Sequence, residues 1–179
     1  MSYLKIMAPA ALILSMGVFQ AWAGGERTFG SAGIRAEAVS ASASKSNATL
    51  VVTLVITNES SIAKQLFIAE EPTAVDNEGH SFSLNPNIYP VGGIYVCNNP
   101  TECLNNQKER TNDNATIVDA NHSITVTLAF PFGAGKAEIG DTVSVGLLVH
   151  ARSAVAEGDP SAKWRTVSLG VPDISLRGV

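Results

Sequence analysis

The sequence predicts an all-β fold, a single antiparallel sandwich of about seven to nine strands. Three observations carry that prediction. Apolar and polar residues alternate with period two in three long segments, turn-forming residues recur about every ten positions, and no useful stretch beyond residue 24 shows a 3.6-residue apolar period.

The elements follow in order. Ile34 to Ser40 reads as the opening strand, and Ala41 to Ala48, rich in Ser and Ala, as a polar connection. Leu50, Val52, Leu54 and Ile56 then share one face, interleaved with Val51, Thr53, Val55 and Thr57. After a turn at Asn58–Ser61, Lys64 to Ala69 forms a shorter strand. Thr73 to Val75 and His80 to Leu84 flank Asp76-Asn77-Glu78-Gly79, a hairpin turn ending in Gly. Ile94 to Val96 leads into a cysteine-bounded loop, and Ala115 to Val118 precedes a turn at Asp119–Asn121. Ile124, Val126, Leu128 and Phe130 line one face of the next strand, opposite Ser123, Thr125, Thr127 and Ala129. Val143, Val145, Leu147 and Val149 form the third core strand, and Lys163 to Leu169 closes the sheet.

The N-terminus points to export. Lys5 supplies a positive charge, Ile6 to Phe19 carry Ser15 as their one strongly polar residue, and Ala21-Trp22-Ala23 matches the small-x-small cleavage pattern. The 14-residue apolar run is short for a membrane span. Residues 1–23 are therefore expected to be a cleaved signal peptide, and 24–179 one domain. Losing Lys5 leaves 11 basic and 16 acidic residues, a net charge near −5. That balance favours solubility and argues against nucleic acid or an anionic membrane surface as partner, and no later apolar run is long enough for membrane insertion.

Cys97 and Cys103 enclose Asn-Asn-Pro-Thr-Glu. In an exported chain such a pair is expected to form a disulfide, which closes a small loop and contributes about 2–2.5 kcal/mol in the chain-entropy model. Neither Cys-x-x-Cys spacing nor a neighbouring His supports a redox pair or a metal site. The bridge lies within the longest irregular region, Asn85 to Asn114, which holds Pro86, Pro90, Gly92, Gly93 and Pro100. Loops of that length are often functional, and Tyr95, Asn98, Asn99, Glu102 and Asn105 are the candidate contact residues.

Catalytic and cofactor patterns are weak. Phe132-Gly133-Ala134-Gly135-Lys136 continues with Ala137 where a phosphate loop needs Ser or Thr, so it reads as a turn. His80, His122 and His150 lie far apart, with no Cys, Asp or Glu at ligand spacing on one strand face, so no metal is expected. Asp76–Gly79 lacks the 12-residue calcium-loop pattern. Gly-x-Ser-x-Gly is absent, and Glu70 and Glu71 point to opposite faces if that segment is extended. No catalytic residue and no cofactor follow from these patterns. Four Asn-x-Ser/Thr sequons occur, at Asn47, Asn58, Asn114 and Asn121, all near turns.

Thr49-Leu-Val-Val-Thr-Leu-Val-Ile-Thr-Asn58 resembles the second strand of secreted bacterial immunoglobulin-like domains, a family of largely unassigned function. Val75-Asp76-Asn77-Glu78-Gly79-His80-Ser81-Phe82 looks like their Asp-x-x-Gly hairpin, and Ile117 to Phe130 like their turn and strand ending in an aromatic. Asp119-Ala120-Asn121 departs from the Pro-Gly common there. The resemblance implies an immunoglobulin-like β-sandwich in an extracytoplasmic setting and transfers no active site.

Three functions remain in order of preference. The first is a non-enzymatic secreted or periplasmic binding or accessory module whose partner is another exported or cell-surface protein. The second is a pilin-like fibre subunit assembled by strand donation, although the close Cys spacing and the ending Ser175-Leu176-Arg177-Gly178-Val179 differ from familiar pilins. The third is a hydrolase or metalloprotein with a site assembled only in space.

Overall fold

A computed structural model describes residues 33–44, 46–85, 91–103, 116–132, 139–154 and 163–177, and among these described residues there are nine strands. They are β1 (Ile34–Ser44), β2 (Thr49–Asn58), β3 (Lys64–Ile68), β4 (Thr73–Asp76), β5 (Ser81–Ser83), β6 (Thr116–Val118), β7 (Ser123–Pro131), β8 (Thr142–Ser153) and β9 (Arg165–Arg177). The predicted signal peptide lies outside the described residues.

Strands β1, β2 and β7 pair antiparallel as one face of an immunoglobulin-like sandwich. Its other face is centred on β8, with β9 along one edge and β3 then β4 along the opposite edge. β5 extends β4, and β6 extends β3. The two faces join where β9 leaves β8 and runs parallel to β1, pairing Leu176 with Ala41 and Arg177 with Ser42. That parallel pairing departs from the all-antiparallel expectation, and it curls the sheet around its core.

The alternation read from sequence is the alternation that packs. Leu50, Val52, Leu54 and Ile56 are fully buried, as are Val126, Leu128 and Phe130 opposite them. Val143, Val145, Leu147 and Val149 close the core from the second sheet. Burying each such side chain contributes about 1.5–3 kcal/mol, so this core supplies most of the drive to fold.

Two strand boundaries need correction. Ala41 to Ser44 continue β1 rather than beginning a connection. Val39 is an extra residue in a bulge, since Ala38 pairs with Leu54 and Ser40 with Thr53. The bulge moves the buried positions from Ile34 and Ala36 to Ala41 and Ala43. These small alanines face inward at the point where β9 closes in, so their strand signal is quiet. β9 also runs on past Leu169 despite Pro172. Val143 pairs with Ile174 and Val145 with Val171, so Pro172 and Asp173 oppose Ser144 in a second bulge, with Asp173 at φ 52°. A bulge is one of the few places a sheet accepts proline.

Among the described residues, the unpaired edges are short or blunted. Strands β5 and β6 have three residues each. Along β7, Gly92 and Thr127 exchange N–H···O bonds of 3.0 Å, and Pro131 ends the strand without a donor. Gly93, at φ +96°, lies so close that a Cβ would meet the Thr125 carbonyl oxygen at 2.0 Å. Gly93→Ala is therefore expected to lower stability by about 2–3 kcal/mol, from positive-φ strain and the clash together. Urea unfolding measures this, and an unchanged midpoint would mean that residues 91–93 are not fixed on β7.

Two buried polar side chains tie turns to the sandwich. Asn58 Nδ2 donates to the carbonyls of Ile62, Val118 and Asp119, while its Oδ1 accepts from the Ser60 N–H and hydroxyl. Asn58 is fully buried, so its sequon cannot carry a glycan in the folded chain, whereas Asn47 and Asn121 are exposed. Asp76, at the tip of the β4–β5 hairpin, accepts from the backbone N–H groups of Glu78, His80 and Gly140. The hairpin and its closing Gly79, at φ +89°, match the sequence reading.

Candidate functional site

Strand β3 breaks the one-sided pattern of the sandwich. All five of its residues are buried. Leu66 and Ile68 belong to the core, so by alternation Gln65 and Phe67 stand on the outer face of the second sheet. Phe67 is fully buried there, with the Trp164 ring 5.5 Å away at 42°. Such a burial outside the core means that this face carries its own packed cluster.

Strand register assembles the cluster in rows. Gln65 pairs with Ile117 on one side and with Arg152 on the other, and Trp164 lies beyond Arg152. In the next row Phe67 pairs with His150, and His150 with Thr166. A further strand-like segment borders β3: Ile68 N–H donates to Tyr95 O at 2.8 Å, and Cys97 N–H to Ile68 O at 2.7 Å. Ile94 is buried in the core and Val96 packs against it, so Tyr95 and Cys97 point to the same outer side as Phe67. Tyr95 is 51% exposed and Ile117 58%. Two large apolar side chains thus border a face whose centre is already packed.

Arg152 is the fixed charge of this face. Its Nε donates to Gln65 Oε1 at 2.7 Å, and its guanidinium carbon lies 4.8 Å from the Trp164 ring centre. Burial draws its pKa below the ordinary arginine value, yet a guanidinium stays protonated throughout the physiological range. A cation held over a ring in this way contributes about 0.5–2 kcal/mol. His150 Nδ1 is 3.0 Å from Thr166 Oγ1.

The loop residues singled out from sequence divide. Cys97 and Cys103 form the disulfide, and residues 100–103 form a helical turn. Asn99 Oδ1 accepts the Glu102 N–H at 3.4 Å, Asn99 Nδ2 donates to Glu102 Oε2 at 3.3 Å, and Cys103 N–H donates to Asn99 O. Asn99 and Glu102 therefore shape the turn, while Asn98 is exposed beside them. Tyr95 joins the outer face. Asn105, with all of 104–115, lies outside the described residues.

Other expectations change. Glu70 and Glu71 are exposed in the break between β3 and β4, so the extended segment that would have opposed them is absent there. His80 does meet a carboxylate: its Nδ1 lies 2.9 Å from Asp76 Oδ2, brought there by the hairpin turn. Among the described residues, no three His, Cys, Asp or Glu side chains converge as metal ligands. Gln65, Phe67, Arg152 and Trp164 were missed by sequence reasoning. The available signal was β3 itself, where apolar residues occupy both parities.

No protein-family model matches the chain, and no curated protein matches it. Solved structures give distant likenesses. A PapD-like (ASH) domain of human CEP192 is 8% identical, with TM-score 0.34, covering 97% of this chain and 100% of that domain. Northeast Structural Genomics Consortium target SoR45 is 10% identical, with TM-score 0.37, covering 76% and 78%. A family 123 glycoside hydrolase from Clostridium perfringens is 8% identical, with TM-score 0.33, covering 81% of this chain and 28% of its own.

Proposed function

We propose that the chain is a non-enzymatic, exported binding or accessory module that contacts another exported or cell-surface protein. The outer face of the second sheet is its contact surface, with Tyr95 and the disulfide-pinned turn at its edge. The observation that carries this reading is the packed Phe67–Trp164–Arg152 cluster bordered by exposed Tyr95 and Ile117. Rigid aromatic and arginine side chains beside exposed apolar ones are what interface centres favour. The leader read in residues 1–23 supports an extracytoplasmic setting. So do the Cys97–Cys103 disulfide and the resemblance to secreted bacterial immunoglobulin-like domains. Among the described residues, no helix is long and apolar enough to cross a membrane.

Fibre assembly by strand donation is the weaker reading. Strand β9 comes from the chain itself and pairs along β8, and the edge of β7 is blunted at Gly92, Gly93 and Pro131.

Affinity capture of the tagged mature protein from its host's periplasm and medium tests the proposal. One enriched protein is expected by mass spectrometry. Its recovery should fall at least tenfold with Tyr95→Ala combined with Ile117→Asp, which truncates one anchor and charges another. Recovery of the protein alone as a monomer, or capture indifferent to both changes, would overturn it.

A further inference from the structure

We propose that Arg152 makes this face a carboxylate-recognition site, so that the partner contributes an acidic group carried on an apolar segment. The inference rests on the binding reading above and adds the chemistry of the ligand.

Three observations lead there. The guanidinium has two partners, Gln65 Oε1 at its Nε and the Trp164 ring over which it lies. Among the described residues Nη1 and Nη2 have no further partner, which leaves the side of the fork that accepts a carboxylate through two parallel hydrogen bonds. Gln65 is itself only 8% exposed, so the support is part of the packed sheet and not a mobile surface contact. A cation already fixed in this way gives up little conformational freedom when it binds.

Charge complementarity selects the ligand. The chain as a whole carries net charge −4, yet the rows around Arg152 present Ile117, Gln65, Trp164, Phe67, His150 and Thr166, with no carboxylate among them. The net negative charge of the chain disfavours an acidic group in general, and the Arg152 charge favours it here. Tyr95 and Ile117 lie on the Phe67 and Gln65 sides of the same face, where the apolar flank of an acidic residue would rest. A side-chain carboxylate and a chain-terminal carboxylate share this chemistry.

Three tripeptides separate the possibilities: acetyl-Phe-Glu-Val-amide, acetyl-Phe-Gln-Val-amide, and acetyl-Phe-Gln-Val with a free terminus. Each is titrated into the mature protein while the Arg152 Nε–H and Trp164 Nε1–H resonances are followed by NMR. At least one carboxylate peptide should bind about tenfold more tightly than the neutral one, and the preference should shrink with added salt. The peptide that wins identifies a side-chain or a terminal source. Arg152→Lys keeps the charge and the aliphatic stem but loses the fork, so it should reduce the preference severalfold, and Arg152→Gln should remove it. Equal binding of acidic and neutral peptides by the unaltered protein overturns the inference without relying on any variant. So does a preference that Arg152→Gln leaves intact. Capture of a partner that persists in Arg152→Gln would reject carboxylate recognition while leaving the binding module in place. A carboxylate preference without any captured protein would do the reverse.

Discussion

Asn58→Asp is expected to cost about 4 kcal/mol of stability at pH 7, more than the roughly 3 kcal/mol expected for Asn58→Ala. Asn58 Nδ2 sits among the carbonyl oxygens of Ile62, Val118 and Asp119, at 2.8, 3.0 and 3.0 Å. An amide nitrogen offers two hydrogens to that set, and a carboxylate offers none. The alanine variant leaves carbonyls unpaired, whereas the aspartate variant places a buried anion against them. Protonation is the one escape, so the introduced carboxyl has a folded-state pKa raised above its unfolded value near 3.9. The sign of the pH effect follows. A raised carboxyl pKa destabilises progressively as pH rises from below the unfolded value through the folded one. Urea midpoints at pH 4, 5 and 7 should therefore show the gap between Asn58→Asp and the unaltered protein widening with pH. For Asn58→Ala the gap should stay constant. A pH-independent gap for the aspartate variant would mean that the three carbonyls do not face this side chain as described.

The strand ending in Asn58 was legible; the reason for the asparagine was not. Alternation marked β2, β7 and β8 because their inward residues are large, and the core is made of those residues. It failed at Ala41 and Ala43, where the inward residues are small, and beyond Leu169, where Pro172 suggests an ending. Both failures lie at bulges, which shift parity in a way that depends on the partner strand. The cysteine pair was readable because the sequence led to an expectation of export, where two cysteines pair by default, and Cys97 and Cys103 are joined. The outer-face cluster was not readable. Gln65, Phe67, Arg152 and Trp164 come from three separate parts of the chain, and only strand register places Gln65 beside Arg152. Tyr95 was chosen as a loop residue, but its neighbourhood is set by the parallel contact of Val96 with Ile68, a pairing that no local pattern announces. Asp76 and His80 illustrate the same limit at short range. Three residues of turn separate them, and the turn's conformation, not strand-face spacing, brings them together.

That turn supplies the second large effect, and its signature is acid lability. The Asp76 side chain is wholly buried. Burial alone raises a carboxyl pKa, but here it is outweighed: Gly140 N–H and the His80 ring donate to Oδ2, and the Glu78 and His80 N–H groups to Oδ1, leaving the pKa below 3.8. The hydrogen bonds join the β4–β5 hairpin to the segment entering β8, and Asn77 Oδ1 adds a bond from Thr142 N–H. Because the folded pKa is depressed, the stabilisation is fully present above the unfolded value. It is lost as pH falls from there through the folded pKa. Asp76→Asn keeps the shape but replaces one acceptor oxygen by an NH2 group. Every orientation of the amide then sets a donor against the donors of Gly140 and His80 or those of Glu78 and His80. A loss of about 3 kcal/mol is expected at pH 7, the scale of a buried charge-assisted set left mismatched. Half-exposed Glu78, whose Oε2 lies 4.0 Å from the same ring nitrogen, should matter far less, since exposed pairs contribute about 0–1 kcal/mol. Urea unfolding from pH 7 down to pH 2 distinguishes the two carboxylates. Stability of the unaltered protein should fall more steeply below pH 3.8 than that of Asp76→Asn, so the two curves converge in acid, while Glu78→Gln should track the unaltered protein. Parallel curves for Asp76→Asn would show that its loss is steric and that the buried carboxylate is not what makes the hairpin acid-labile.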